Sequence, residues 1–263
     1  MVTRRTEIPK PKMEGLVGFE EASDKEIFRL VMSIEGVEKA GKTHFALTAP
    51  GPIGLIDMDT GLEGVVSKFV KDKKIYVANF NYRDATSPDE WKAMWGKMKQ
   101  ALMDILVSKL IRTAIVDTAS EMWELARMAA FGKLSQVKGH HYAPVNAEFR
   151  DLLHKGLDSD KNLILIHRQK KEYVSEQWTG NMERTGFGEV GGAMQANLIT
   201  WRITTLDEKY GKGRDDEYKG FGVTIRDCRK VPELAGSELL EPLNSFPQLA
   251  QMIFPDSDIS DWE

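Results

Sequence analysis

Gly36-Val37-Glu38-Lys39-Ala40-Gly41-Lys42-Thr43 is the stretch that decides the fold, because it spells G-x-x-x-x-G-K-T. This spacing wraps backbone N–H groups around a phosphate chain, and the two glycines permit the tight turn and the close approach of the main chain. Lys42 is placed to reach the outer phosphates, and the Thr43 hydroxyl to bind Mg2+. A helix starting here adds the positive end of its dipole. The flanks agree with that reading. Residues 28–34 form an apolar run expected as a buried strand, and residues 43–48 are expected as a short helix. The expected nucleotide-binding residues are therefore Gly36, Val37, Glu38, Lys39, Ala40, Gly41, Lys42, Thr43 and the adjoining His44.

Working outward, short apolar strands alternate with helical patterns, as in an α/β domain with a mostly parallel sheet. Strands are expected at 53–57, 74–80, 113–117, 162–167, 198–206 and 222–227. Ser87-Pro88-Asp89-Glu90 combines a capping residue, a proline and first-turn acids, which marks a helix start. Trp91, Met94, Trp95, Met98, Leu102, Ile105 and Leu106 then recur on one helical face, a stripe read as core. Further helices are expected near 121–130, 146–157 and 246–253, with loops at 131–145 and 168–192 and a charged hairpin segment at 207–220. The chain divides into a basic arm at 1–26, a core at 27–235, and a C-terminal helix with an acidic tail at 236–263.

Composition sets outer bounds. The chain has 263 residues, 41% of them hydrophobic and 29% charged, which suits a packed globular domain. No apolar run approaches the roughly 20 residues of a membrane span, and residues 1–10 have no apolar leader core, so a cytoplasmic protein is expected. The single cysteine, Cys228, excludes an intrachain disulfide. A net charge of −4 places any nucleic-acid affinity in local patches. The arm bears Arg4, Arg5, Lys10 and Lys12, and the tail bears Asp256, Asp258, Asp261 and Glu263. Both read either as mobile solvated ends or as contact points, the arm for a neighbour or nucleic acid and the tail for basic partner proteins.

Hydrolysis needs more than a phosphate loop. Asp117 ends an apolar strand and is the expected second Mg2+ ligand with Thr43. Asp59 is the candidate for activating water, with Asp57 beside it and Glu63 as a competitor. His167 and Arg168 end another strand at the carboxyl edge of the sheet, where a polar group can sense a terminal phosphate. No histidine or cysteine spacing suggests zinc, and no guanine-recognition signature is present, which favours ATP.

With these residues in place the chain resembles the RecA-like P-loop ATPase core, and most closely the phage-encoded RecA-like recombinases of the single-strand-annealing Sak group. The resemblance spans about residues 28–230. It rests on 36–43, on Ile-Asp-Met-Asp at 56–59, on Ile-Val-Asp-Thr-Ala-Ser-Glu-Met-Trp-Glu-Leu-Ala at 115–126, and on the segment running from Tyr142-Ala-Pro-Val-Asn to Leu-Ile-Leu-Ile-His-Arg168. It implies ATP and Mg2+ as ligands, with Asp59 standing where the family has a glutamate and His167 or Arg168 as the γ-phosphate sensor. Arg226 and Arg229 are the matching candidates for basic residues reaching a neighbour's ATP. Two DNA-facing segments follow from it: Lys133, Lys138, His140 and Tyr142 in the first, and Lys170, Lys171, Trp178 and Arg184 in the second. The implied partners are single-stranded DNA, further copies of the chain in a ring or filament, and a single-strand binding or replisome protein, in the cytoplasm of a bacterial host. A nucleotide-switched loader acting through its acidic tail is the other reading.

Overall fold

The computed structural model describes residues 27–134, 136–204 and 218–263; the basic arm at 1–26 and most of the charged segment at 207–220 lie outside them. The elements in chain order are β1 (Val31–Gly36), α1 (Lys42–Leu47), β2 (Ile53–Asp57), β3 (Ile75–Asn79), α2 (Pro88–Val107), β4 (Thr113–Asp117), α3 (Ala119–Phe131), α4 (Ala143–Asp158) and β5 (Asn162–Val174). They continue with β6 (Gln177–Arg184), α5 (Val190–Ala193), β7 (Ala196–Thr204), β8 (Tyr218–Cys228), β9 (Glu238–Leu239) and α6 (Phe246–Ile253). A final 3-10 turn covers Ile259–Trp262.

The sheet order is β3-β2-β4-β5-β1-β7-β8-β9, parallel from β3 through β7 and antiparallel beyond. The strand feeding the phosphate loop is thus central, between β5 and β7. β1, β2 and β4 are buried along their whole lengths, the condition of a strand covered by helices on both faces. Alternation divides the core in two. Met32, Ile34, Leu55, Ile115 and Ile166 pack with Phe45 of α1, α6 and Trp262 on one face. Val31, Val116, Leu163 and Leu165 pack with α2, α3 and α4 on the other.

The Trp91, Trp95, Met98 and Leu102 stripe of α2 is core, as its spacing requires. A capping box starts that helix: Glu90 N–H donates to Ser87 Oγ at 3.3 Å, and Ser87 N–H donates to Glu90 Oε2 at 3.1 Å.

Two expectations are corrected. Residues 168–192 are not a loop over most of their length, since β5 runs on to Val174 and β6 returns along it, from Gln169 opposite Arg184 to Val174 opposite Gln177. The two-residue connection places Ser175 at φ 51° and Glu176 at φ 64°, the backbone of a tight hairpin turn. Asn-Gly usually announces such a turn, and Ser-Glu does not. The strands leave the core, so both of their faces meet solvent and no apolar–polar alternation shows.

The acidic tail is also not a mobile tip. Asp258 caps the last turn, and Trp262 is 1% exposed, stacked 5.3 Å from Phe254, with its Nε1–H on Ser257 Oγ at 2.7 Å. The guanidinium of Arg112 donates to the Asp261 carbonyl. Burial of the tryptophan outweighs the solvation of its acidic neighbours.

Candidate nucleotide site

The phosphate loop joins β1 to α1 in a turn only glycine permits at its end. Gly41 has φ 85°, and a Cβ there would lie 2.2 Å from the Phe221 ring. Gly36 passes equally close to β7, where a Cβ would meet Thr200 Oγ1 at 2.5 Å. Lys42 curls over the loop and donates from Nζ to the carbonyls of Gly36 at 2.9 Å and Val37 at 2.6 Å. Burial lowers the pKa of its amine, and Asp117 opposes that shift. A cavity of about 480 Å³ opens on Lys39, Gly41, Lys42, Thr43, His44, Val65, Lys68 and Arg202. His44 lines it edge-on between Phe69 and Phe221, at 5.0 and 5.7 Å. A larger cavity, about 600 Å³, lies by Thr48, Pro52 and Lys73 instead, away from the loop, and the Lys73 amine there already donates to the Thr48 and Ala49 carbonyls.

β4 delivers Asp117 to the loop. Thr43 Oγ1 donates to Asp117 Oδ2 at 2.6 Å, so the two expected Mg2+ ligands meet across 74 residues of chain. Burial pushes the Asp117 carboxyl up to about 6; the Thr43 hydrogen bond opposes this, and Asp59 and Asp57 reinforce it. Among the described residues no group of three His, Cys, Asp or Glu side chains could cage a metal. A hydroxyl with one carboxylate suits Mg2+, which takes its remaining ligands from water and phosphate.

The Asp117 shift has a measurable consequence. The folded carboxyl holds its proton more tightly than the unfolded one, whose pKa is about 3.9. Stability therefore falls as pH rises from about 4 to about 6 and stays lowered above that window. Asp117→Asn is expected to stabilise the nucleotide-free protein by about 3 kcal/mol at pH 8 and to change nothing below about pH 4, as read from urea denaturation.

The segment after β2 turns on Asp57, whose Oδ1 accepts from the N–H groups of Asp59 at 3.2 Å and Thr60 at 3.0 Å. Asp59 Oδ1 accepts from Gly61 N–H at 3.0 Å, and its Oδ2 from Arg168 Nη2 at 2.6 Å. Glu63 is exposed. The other arm of Arg168 pairs with buried Glu121, which also holds Arg83 at 3.2 Å. Reading the sequence missed Glu121. Thr118-x-x-Glu121 has the form of a helix-start signal, and Thr118 does cap α3, but the glutamate side chain turns to the arginines.

Of the two candidate sensors, Arg168 reaches the acids beside the loop and His167 does not. Strand alternation puts His167 on the opposite face with Leu163 and Leu165, fully buried. Its Nδ1 lies 3.0 Å from the Thr185 carbonyl, and burial lowers its pKa to about 3. The ring is therefore neutral, donating from Nδ1 to the Thr185 carbonyl. Arg226 pairs with buried Glu35 and, at 3.3 Å, with Asp227. Arg184, expected to face DNA, instead turns inward, where Nη1 donates to Ser33 Oγ at 3.2 Å. Burial raises the pKa of Glu35, and Arg226 and then Arg184 counter it, so both arginines have an intrachain task. Arg229 is exposed and donates to the Gly192 carbonyl at 2.6 Å.

The remaining DNA candidates lie on two surfaces. Lys133, Lys138 and His140 are exposed, with the Lys133 amine 5.8 Å from the Trp91 ring centre. Tyr142 is half-buried against Trp123 and Phe131, and its hydroxyl accepts from Arg127 at 3.2 Å. On the hairpin, Lys170 pairs with Glu183 at 3.1 Å, while the Lys171 amine stands 4.9 Å over the exposed Trp178.

A central loop strand, one intervening strand before the acid-bearing strand, and the Thr43–Asp117 pair define a P-loop NTPase of RecA-like architecture. The chain belongs to the AAA domain family, whose profile matches residues 29–200. It is thereby an ATPase-type, nucleotide-binding protein. Among solved structures it is similar to the RadB recombinase, at 12% identity over 80% of this chain and 84% of that one, with a TM-score of 0.43. No curated protein sequence matches it. No helix among the described residues is long and apolar enough to cross a membrane.

Proposed function

We propose that this chain is an Mg2+-dependent ATPase of the phage RecA-like recombination and annealing type, acting on single-stranded DNA as an oligomer in the host cytoplasm. The observation that carries the ATPase is the 2.6 Å contact of Thr43 with Asp117 beneath a loop whose lysine is within reach. Mg2+ held by these two residues would neutralise charge on the phosphates. Asp59 would take a proton from water as the water oxygen attacks the γ-phosphorus, and the bond to the bridging oxygen would break to leave ADP and phosphate. Both arginines proposed to reach a neighbour's nucleotide are exposed, and Arg229, which donates to the Gly192 carbonyl where Arg226 is held by buried Glu35, is favoured for that role.

The DNA assignment rests on the hairpin face that joins Lys171 and Trp178 to exposed Tyr173, and on Lys133, Lys138 and His140. Cations with open aromatic rings suit a strand whose bases are unstacked. The test is fluorescence anisotropy of a labelled single-stranded oligonucleotide, with and without ATP, over a salt series. Trp178→Ala is expected to weaken binding about tenfold, in line with roughly 1–3 kcal/mol for a stacked base. Lys133→Ala with Lys138→Ala is expected to flatten the salt dependence. Binding indifferent to all three substitutions would overturn the DNA role.

A further inference from the structure

We infer that Arg168 is an exchange switch: in the nucleotide-free protein it masks Asp59, and it releases that acid when a γ-phosphate takes its guanidinium. The inference rests on the ATPase reading above and adds a mode of regulation to the same site.

Asp59 as it stands cannot serve water well. One carboxylate oxygen accepts from Gly61 N–H at 3.0 Å and the other from Arg168 Nη2 at 2.6 Å. A charge-assisted bond of that length occupies the oxygen that must accept a proton and holds it on the arginine. The arginine is anchored so that this one arm can move. Its N–H donates to Ser120 Oγ at 3.0 Å, and its carbonyl accepts from Thr185 N–H at 2.9 Å and Thr185 Oγ1 at 3.0 Å. The Nη1 arm is pinned by Glu121, which is 6% exposed and backed by Arg83. Glu121 is therefore a positioning residue, a pivot about which the Nη2 arm swings.

The destination lies close by. Arg168 stands level with Gly36 across the parallel β1–β5 ladder, at the mouth of the phosphate loop. A terminal phosphate offers more negative charge than one carboxylate and a geometry that matches the guanidinium fork. ADP has no group in that position. Arg83, Glu121, Arg168 and Asp59 together carry two positive and two negative charges. Transfer of Arg168 to a phosphate leaves Asp59 anionic and open. Recognition of the third phosphate and activation of the base become one movement.

The test is titration of the wild type and variants with ADP and with AMPPNP, an ATP analogue that is not hydrolysed, alongside ATP turnover. Asp59→Asn removes the competitor for Arg168. It is expected to tighten AMPPNP about tenfold, leave ADP unchanged, and lower turnover, a tenfold gain being what one weakened charged hydrogen bond yields. Arg168→Ala is expected to bring AMPPNP affinity down to that of ADP, and in that background Asp59→Asn should have no effect on either nucleotide. A melting curve without nucleotide confirms that each variant is folded. Asp59→Asn shifting both nucleotides alike, or neither, overturns the switch, as does tightening that persists without Arg168. A wild type that binds neither nucleotide removes the ATPase reading itself, and the switch with it.

Discussion

Lys42→Ala is expected to lower ATP turnover by about three orders of magnitude, the cost of losing a cation aimed at charge that develops in the transition state. The variant should nevertheless fold. Among the described residues Lys42 donates only to the carbonyls of Gly36 and Val37, at the edge of the cavity beside the loop, and burial already disfavours its charge. The melting temperature without ligand should therefore be nearly unchanged. What disappears is the stabilisation by ligand. At about one hundred times Kd, ATP should stabilise the wild type by about 2.7 kcal/mol, and the variant at the same concentration by almost nothing. Thermal melts with and without Mg-ATP check this in parallel with phosphate release. Undiminished turnover would show that the loop is not the site.

The second large effect concerns stability and lies far from the chemistry. Trp262→Ala is expected to cost about 4 kcal/mol, in the range found for truncating a buried tryptophan, and to lower the melting temperature by about 10 °C. The side chain is 1% exposed, meets Phe254 and Phe246, and donates to Ser257. Phe28, before β1, also meets it edge-on at 6.4 Å, so the substitution loosens both ends of the described core. If these last residues were only a solvated acidic tip, the change would stay within about 0.5 kcal/mol. Urea denaturation decides between them.

These two sites also mark what the sequence discloses. The phosphate loop is legible because its chemistry fixes residue types at fixed spacings. Thr113–Asp117 and Phe246–Ile253 are legible because an unbroken apolar run and a helical stripe each have one economical placement. Trp262 is not, since a single tryptophan among Asp256, Asp258 and Asp261 has no periodicity, and its burial depends on Phe246 and on Phe28, the latter far away in the chain. The hairpin of β5 and β6 is hidden for a different reason. Its stability comes from main-chain hydrogen bonds, which side-chain pattern does not record when both faces are wet. The choice between His167 and Arg168 turns on strand phase, and one residue decides which face each takes. The ties of Arg168 to Asp59 and Glu121 span 109 and 47 residues, beyond any local signal.

The split of the core by the sheet has a consequence for how the protein is made. The layer containing α1 is closed by α6 and Trp262, whereas the opposite layer is complete by about residue 194. During synthesis the α2–α4 side can collapse while the remainder is still in the ribosomal tunnel. The α1 layer draws on Phe221 of β8 and on α6, whose Phe246 N–H donates to Thr48 Oγ1 at 2.8 Å, so a nascent chain completes the α2–α4 side before the side that carries the phosphate loop.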